Sequence, residues 1–248
     1  MQERGPAAYI AEFIGTFALV FFVTAAVTLY VPAATPANPT PFIDFSVIGL
    51  VHVFVLFMLI QTLAVASGAH FNPAVTAAMT ALRQISPADA GIYVISQLAG
   101  GVAGALLTKG LLKDEGELGN YGAVAVSGRI NEAVFPGMVV EFIGTFFLVW
   151  VIVGVAVNPK GAKEWAGFAI GATLGLLVMV LAPLTGAGFN PARAFGPALV
   201  ADFFNGGGDF ILVYVVAPLL GAVAAGIAYF RLYITPGAKE PGGMEPVG

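Results

Sequence analysis

Two similar stretches of this sequence decide its fold: SGAHFNPAVT at residues 67–76 and TGAGFNPARA at residues 185–194. Each carries Asn-Pro-Ala after a glycine-containing link and before further apolar residues. Asn is a preferred N-cap residue and Pro a preferred first residue of a helix, so each stretch predicts a helix start. The helices predicted for residues 72–82 and 190–201 have about half of the roughly 20 residues needed to cross a bilayer.

The composition of the whole chain places these stretches in a membrane protein. The 248 residues are 58% hydrophobic and 10% charged, with a mean hydropathy of +0.92. An average soluble domain is about 45–50% apolar and about 25% charged, so an ordinary soluble enzyme and a disordered chain are excluded. The net charge of −4 argues against a nucleic-acid partner. The chain has no Cys, and its two His residues lack the spacing of a metal site, so no metal or cofactor is expected.

Six further stretches are long and apolar enough to cross a bilayer as helices. The sequence therefore predicts an all-α membrane protein with six transmembrane helices and two half-helices. Residues 110–132 are predicted as a loop between the halves, the proline-containing residues 32–44 as a loop without helix, and residues 236–248 as a disordered tail. The predicted spans cover residues 7–31, 45–66, 88–107, 133–157, 165–184 and 210–232.

The two halves of the chain repeat one another. The motif AEFIGTF at residues 11–17 recurs as VEFIGTF at residues 140–146, in the same order relative to Asn-Pro-Ala. Each half carries three spans, an odd number, so the second half enters the membrane upside down relative to the first. We therefore predict a single domain over residues 1–248, built from an inverted repeat of residues 7–109 and 133–233. Its two half-helices would enter from opposite faces and meet at mid-depth.

An Asn side chain at an N-cap has a defined chemistry. Its oxygen accepts a hydrogen bond from the helix backbone, which leaves its NH₂ group free to donate. Two such groups would face each other at the midplane, each at the positive end of a helix dipole. A pore at this place would offer donors to a neutral solute and repel protons and other cations.

These motifs resemble those of the aquaporins, in the major intrinsic protein family, and the similarity covers residues 7–233. The resemblance implies an hourglass pore in each protomer of a homotetramer, which lies in a lipid bilayer and passively conducts water or small neutral solutes. It puts both Asn-Pro-Ala motifs at the pore midplane. The residues concerned are Asn72, Pro73 and Ala74 in the first motif and Asn190, Pro191 and Ala192 in the second.

The same resemblance implies an outer selectivity constriction formed by His52, Val178, Ala187 and Arg193. This set is similar to the filter of plant tonoplast intrinsic proteins, and it implies a wider opening that passes ammonia, urea or glycerol as well as water. Two alternatives stay open from the sequence. His52 could turn into the helix bundle, and Arg193 could extend to the outer membrane interface.

Two carboxylates, Glu12 and Glu141, lie inside predicted spans. A non-helical link at membrane depth needs acceptors for its free N–H groups, so we interpret both as loop-supporting residues, as in the family. His70 and Gln97 are interpreted in the same way. If the two carboxylates carried protons instead, the chain would be a secondary transporter with inverted repeats. A structural junction protein on the same fold is a further alternative.

The basic residues favour one orientation in the membrane. With both termini in the cytoplasm, that side carries six Lys and Arg residues and the opposite side four. Positive residues prefer the cytoplasmic side, which predicts a multi-pass cell-membrane protein with cytoplasmic termini.

Overall fold

The computed structural model describes residues 4–31, 44–204 and 206–235. Helices make up its architecture, and the described residues contain no strand. The helices are α1 (Pro6–Tyr30), α2 (Phe45–Ser67), α3 (Pro73–Ala81), α4 (Pro87–Leu111), α5 (Lys113–Leu118), α6 (Val134–Ile152), α7 (Ala166–Thr185), α8 (Pro191–Ala201), α9 (Gly208–Ile211) and α10 (Ala217–Tyr229). The π-helical segments Val153–Val157, Leu212–Val216 and Phe230–Ile234 extend α6, join α9 to α10 and extend α10.

Six helical segments among the described residues are long and apolar enough to cross a membrane. Together with the short helices α3 and α8, they confirm the predicted fold class of six transmembrane helices and two half-helices. The six segments are Pro6–Tyr30, Phe45–Ser67, Pro87–Leu111, Val134–Val157, Lys163–Thr185 and Gly208–Ile234. The expectations for residues 32–43 and 236–248 lie outside the described residues.

The end of one span and the content of one loop differ from the sequence prediction. Helix α4 continues to Leu111 rather than stopping at residue 107. Lys109 lies in its last turn, where a positive charge favours the C-terminal end of a helix. The stretch predicted as the loop 110–132 also contains α5 and two 3₁₀ turns, Asn120–Gly122 and Gly128–Ile130. Acidic residues in the first turn of α5 favour that helix by the same dipole effect.

The two half-helices follow spans that end in the same way. Gly68 and Gly186 terminate α2 and α7 with φ of 86° and 77°, in the left-handed region where glycine is favoured. Each turn redirects the chain into a short non-helical link. Asn72 and Asn190 then cap α3 and α8, with Pro at the first helical position in both.

Glycines allow the spans to approach closely. A Cβ atom at Gly100 would lie 2.4 Å from the Phe13 carbonyl oxygen, and one at Gly221 would lie 2.4 Å from the Phe142 carbonyl oxygen. These contacts bring α4 onto α1 and α10 onto α6, as small residues do between membrane helices. Each half-helix packs on a span of the other half, α3 on α10 and α8 on α4. The two half-helices are therefore held inside the bundle by both repeats.

Candidate pore and its constriction

The first link, between α2 and α3, is fastened to a carboxylate on α1. Oε1 of Glu12 accepts hydrogen bonds from Ser67 Oγ at 2.6 Å and from the His70 amide at 2.9 Å. Oε2 accepts from the Phe71 amide at 2.6 Å and from Gln97 Nε2 at 2.7 Å. Glu12 is fully buried, and four donors from α2, the link and α4 surround its two oxygens.

The second link is fastened to Glu141 on α6 in the same manner. The carboxylate accepts from Thr185 Oγ1 at 2.6 Å, from the Gly188 amide at 2.9 Å and from the Phe189 amide at 2.6 Å. The repeat therefore reproduces the contact and not only the sequence motif. The second half has no counterpart of the Gln97 bond, because Pro218 stands at the matching position.

A buried tyrosine completes each link. Tyr93 and Tyr214 each donate from the phenol to a backbone carbonyl, of Ser67 and of Thr185, at 2.8 Å. The sequence carried a signal for this pair, because both tyrosines open matching stretches of the third span in each half.

Of the other two polar residues expected at the first link, His70 lies within it and Gln97 lies beside it on α4. His70 Nδ1 lies 3.1 Å from Thr76 Oγ1, and the imidazole packs edge-to-face on Tyr93 at 5.3 Å between ring centroids. Gln97 Nε2 donates to both Glu12 and Thr76, while Gln97 Oε1 has no partner among the described residues. His70 therefore contacts α3 and α4 from within the link, and Gln97 supports the link from α4.

The two Asn side chains correct one part of the prediction. Their Oδ1 atoms accept from helix amides as expected, from Ala74 at 2.8 Å in α3 and from Ala192 at 3.0 Å in α8. Their NH₂ groups are not left wholly free, however. Asn72 Nδ2 donates to the Phe189 carbonyl and Asn190 Nδ2 to the Phe71 carbonyl, each at 2.8 Å. One hydrogen of each amide therefore ties the two halves together, and one remains for another partner.

A cavity of about 460 Å³ runs past this Asn pair. Arg4, Gln84 and Lys163 lie among its lining residues, as do Asn72 and Asn190. Most of the remaining side chains that line it are apolar, and they include Leu19, Leu56, Ile60, Val75, Leu148, Ile152, Ile170 and Leu174. Pro73, Ala74, Pro191 and Ala192 are buried beside the Asn residues and are not among the lining residues.

A second cavity continues on the far side of two residues, His52 and Arg193, which border both cavities. Both side chains are 4% exposed. His52 Nδ1 donates to the Ile48 carbonyl at 2.8 Å, which leaves Nε2 without this bond. Arg193 Nη1 donates to the Gly122 carbonyl at 3.1 Å, and its Nε is buried with no partner among the described residues. His52 therefore faces the cavities rather than the bundle, and Arg193 lies inside the protein rather than at its outer edge.

The other two residues expected at the constriction differ in position. Ala187 lines the first cavity beside Asn190 and Arg193. Val178 is 1% exposed and belongs to the buried apolar cluster, and it is not among the residues that line either cavity. Leu174, one turn earlier on α7, lines the first cavity instead.

Sequence reasoning missed the contribution of residues 122–125, which line the second cavity. The Gly122 contact with Arg193 is made by a backbone carbonyl, so no side-chain pattern indicates it. The described residues contain no group of three or more His, Cys, Asp or Glu that could hold a metal ion.

Comparison with known proteins agrees with this geometry. The model of the major intrinsic protein family matches residues 4–229. The chain belongs to that family. Family members are channels rather than enzymes, and this chain is a multi-pass membrane channel of the aquaporin type, for water and small solutes.

Two relatives and one solved structure illustrate the similarity. The chain is 36% identical over 240 residues to aquaporin AqpM of Methanothermobacter marburgensis, covering 89% of this chain and 94% of the relative. It is 36% identical over 226 residues to glycerol uptake facilitator protein-like 6 of Lactiplantibacillus plantarum, covering 88% and 94%. The aquaglyceroporin of Plasmodium falciparum has the same fold, with a TM-score of 0.75, 22% identity and coverage of 93% and 97%.

Proposed function

We propose that this channel conducts water together with ammonia, urea or glycerol, and that His52 and Arg193 form its selective neck. The observation that carries the proposal is that these two residues, and no others among those that the structure describes, line both cavities. A solute that moves from one cavity to the other would then pass the imidazole and the guanidinium. The Asn pair in the first cavity provides a second group of hydrogen-bond donors on the same route.

The charges along the route favour neutral solutes. Arg193 carries a permanent positive charge, and α3 and α8 begin at Asn72 and Asn190 with the positive ends of their dipoles. Positive groups of this kind at a narrow opening exclude protons and cations. Between the neck and the Asn pair the lining side chains are mostly apolar, so few fixed hydrogen-bonding groups retain a neutral solute there.

The fastened carboxylates favour a channel over a coupled transporter. Ion coupling needs an ionisable group that changes partner during transport. Glu12 and Glu141 instead accept four and three hydrogen bonds from groups that hold the links. Neither carboxylate is among the residues that line the two cavities.

The side chains at the neck are the basis for proposing solutes larger than water. His52 contributes an imidazole where a phenylalanine ring would be larger, and Ala187 contributes a single methyl group beside Arg193. Similar proteins named as an aquaporin and as a glycerol uptake facilitator make both classes of solute reasonable candidates.

The experiment is a flux comparison in proteoliposomes between the parent and His52→Phe. The variant should keep much of its water flux and lose urea, glycerol or ammonia flux, because a larger apolar ring narrows the neck and removes a hydrogen-bonding group. Leu50→Phe is the matched control, since Leu50 lies on the same helix and is 46% exposed on its surface. An unchanged solute-to-water ratio in His52→Phe, or a parent that passes only water, contradicts the proposal.

We further propose a homotetramer in the cell membrane with both termini in the cytoplasm. The family resemblance supports the tetramer. The orientation rests on the excess of basic residues, and Arg4 and Lys163 from that side both line the first cavity. Protease access to a C-terminal tag in right-side-out vesicles tests the orientation, and in-membrane cross-linking tests the tetramer.

A further inference from the structure

The 3₁₀ turn Asn120–Gly122 has an unusual backbone. Asn120 and Tyr121 have φ of 50° and 49°, so two successive residues other than glycine lie in the left-handed region. Asn tolerates this region, whereas a bulky residue such as Tyr is rarely found there. Such a conformation persists only where surrounding contacts determine it, and these positions concentrate near functional sites.

The Tyr121 ring supplies those contacts. It is 5% exposed and packs on Gly116 of α5, where an added Cβ would lie 2.1 Å from Tyr121 Cδ1. The Lys109 ammonium lies 5.2 Å from the ring centroid, within the range of a cation–π interaction. The phenol donates to the Lys113 carbonyl at 3.3 Å, which is long for an O–H···O bond. Most of the anchoring therefore comes from the ring and not from the hydroxyl.

The residue after Tyr121 touches the neck. Gly122 packs on α1 so tightly that an added Cβ would lie 3.1 Å from Thr24 Cα. Among the described residues, the Gly122 carbonyl accepts the hydrogen bond that the Arg193 guanidinium donates. Lys109, which lies over the Tyr121 ring, also donates to the Val200 carbonyl at 3.0 Å. Val200 lies near the end of α8, the helix that carries Arg193 in its first turn. The start of α8 thus contacts the turn directly, and its end contacts Lys109, which packs on the Tyr121 ring.

We propose that Tyr121 is a positioning residue for selectivity: its buried ring holds the Gly122 carbonyl against Arg193 and so sets the width of the neck. The inference rests on the proposed function, in which Arg193 and His52 form that neck. Without the ring, the turn no longer has the contacts that maintain its left-handed backbone. Arg193 Nη1 then loses a fixed acceptor, and residues 122–125 are freer to move away from the second cavity.

The test measures urea and water flux for Tyr121→Ala and Tyr121→Phe in proteoliposomes containing equal amounts of protein. In Tyr121→Ala the urea-to-water ratio should rise about two- to ten-fold, the factor that the loss of one hydrogen bond produces in an equilibrium. Tyr121→Phe keeps the ring contacts and should restore the parent ratio. Tyr30→Ala is the matched control, because Tyr30 is 50% exposed at the end of α1 and lines neither cavity.

Two comparisons separate the possible failures. A merely structural role for Tyr121 would lower urea and water flux together and leave their ratio unchanged, which overturns the inference.

Lys109→Met removes the exposed ammonium above the ring and should also raise the urea-to-water ratio, by a smaller factor, so it tests the inference even if Tyr121→Ala does not fold. If Arg193→Val also leaves the ratio unchanged, the proposed neck itself fails. If only Arg193→Val changes the ratio, the neck stands and the positioning role of Tyr121 is wrong.

Discussion

Replacing Asn190 by Asp tests the polarity of the pore midplane. Asn190 Nδ2 donates to the Phe71 carbonyl at 2.8 Å, while its Oδ1 accepts from the Ala192 and Arg193 amides at 3.0 and 3.2 Å. An ionised Asp keeps the second set of bonds and loses the first. Its other oxygen then faces the Phe71 carbonyl oxygen, so a donor–acceptor contact becomes a contact between two acceptors.

The structural and electrostatic consequences can be estimated separately. A buried carbonyl left without its donor costs about 1–3 kcal/mol. A monovalent cation about 4 Å from the new carboxylate would gain about 4 kcal/mol at an effective dielectric constant of about 20, or roughly a thousandfold in local occupancy. That attraction opposes the two half-helix dipoles, each equivalent to about half a positive charge. We therefore expect reduced water flux together with a measurable cation leak.

The assay is stopped-flow water permeability combined with K⁺ flux on the same proteoliposomes. Asn158→Asp is the matched control, because it makes the same chemical change in a surface turn outside both cavities. The leak in Asn190→Asp should fall as the buffer is acidified, since a protonated carboxyl is neutral and can again donate to Phe71. Unchanged water permeability with no K⁺ leak would refute the role given to the Asn pair.

Three further changes test the links and the lining. Ala187→Cys should make water flux sensitive to mercurials, because Ala187 lines the cavity and the parent chain has no Cys; a conducting but insensitive variant would contradict this position. Gly15→Ala should destabilise the fold by about 1–3 kcal/mol through overpacking, because the new Cβ would lie 2.0 Å from Phe71 Cε1. Gly91→Ala is the control, since a Cβ there has nothing within 4 Å. Equal thermal unfolding midpoints of the two variants in detergent would contradict the packing. Glu141→Gln should cost about 1–3 kcal/mol, because an amide presents one acceptor oxygen where the carboxylate presents two, and its unfolding midpoint in detergent should fall accordingly.

Much of the fold follows from local rules. Spans of about 20 apolar residues and Asn-Pro helix starts depend only on the sequence around them, so the spans and half-helices could be predicted. The need of a non-helical link for acceptors similarly pointed to Glu12 and Glu141, and both carboxylates accept hydrogen bonds from link amides. The predicted roles of the constriction residues remain to be tested by flux.

The features that the sequence did not reveal depend on contacts between distant segments. The bond from each Asn amide to the opposite link carbonyl requires both halves to be in place. The Gly122 contact with Arg193 uses a backbone carbonyl. The short helix α5 within residues 110–132 contains a glycine and several charged residues, a composition that resembles a loop. Leu174 and Val178 lie one turn apart on the same face of α7, so the resemblance implied the right face, and the packing of α7 against its neighbours places Leu174 rather than Val178 in the lining.

The most direct test of the central claim is solute flux through the purified protein under an imposed ion gradient. In proteoliposomes, water and urea or glycerol should follow only their own gradients, at rates that do not change when a Na⁺ or H⁺ gradient is applied in either direction. A passive channel with a neck at His52 and Arg193 predicts this independence. Uphill movement of solute driven by either ion gradient would contradict it and would require a coupled transporter.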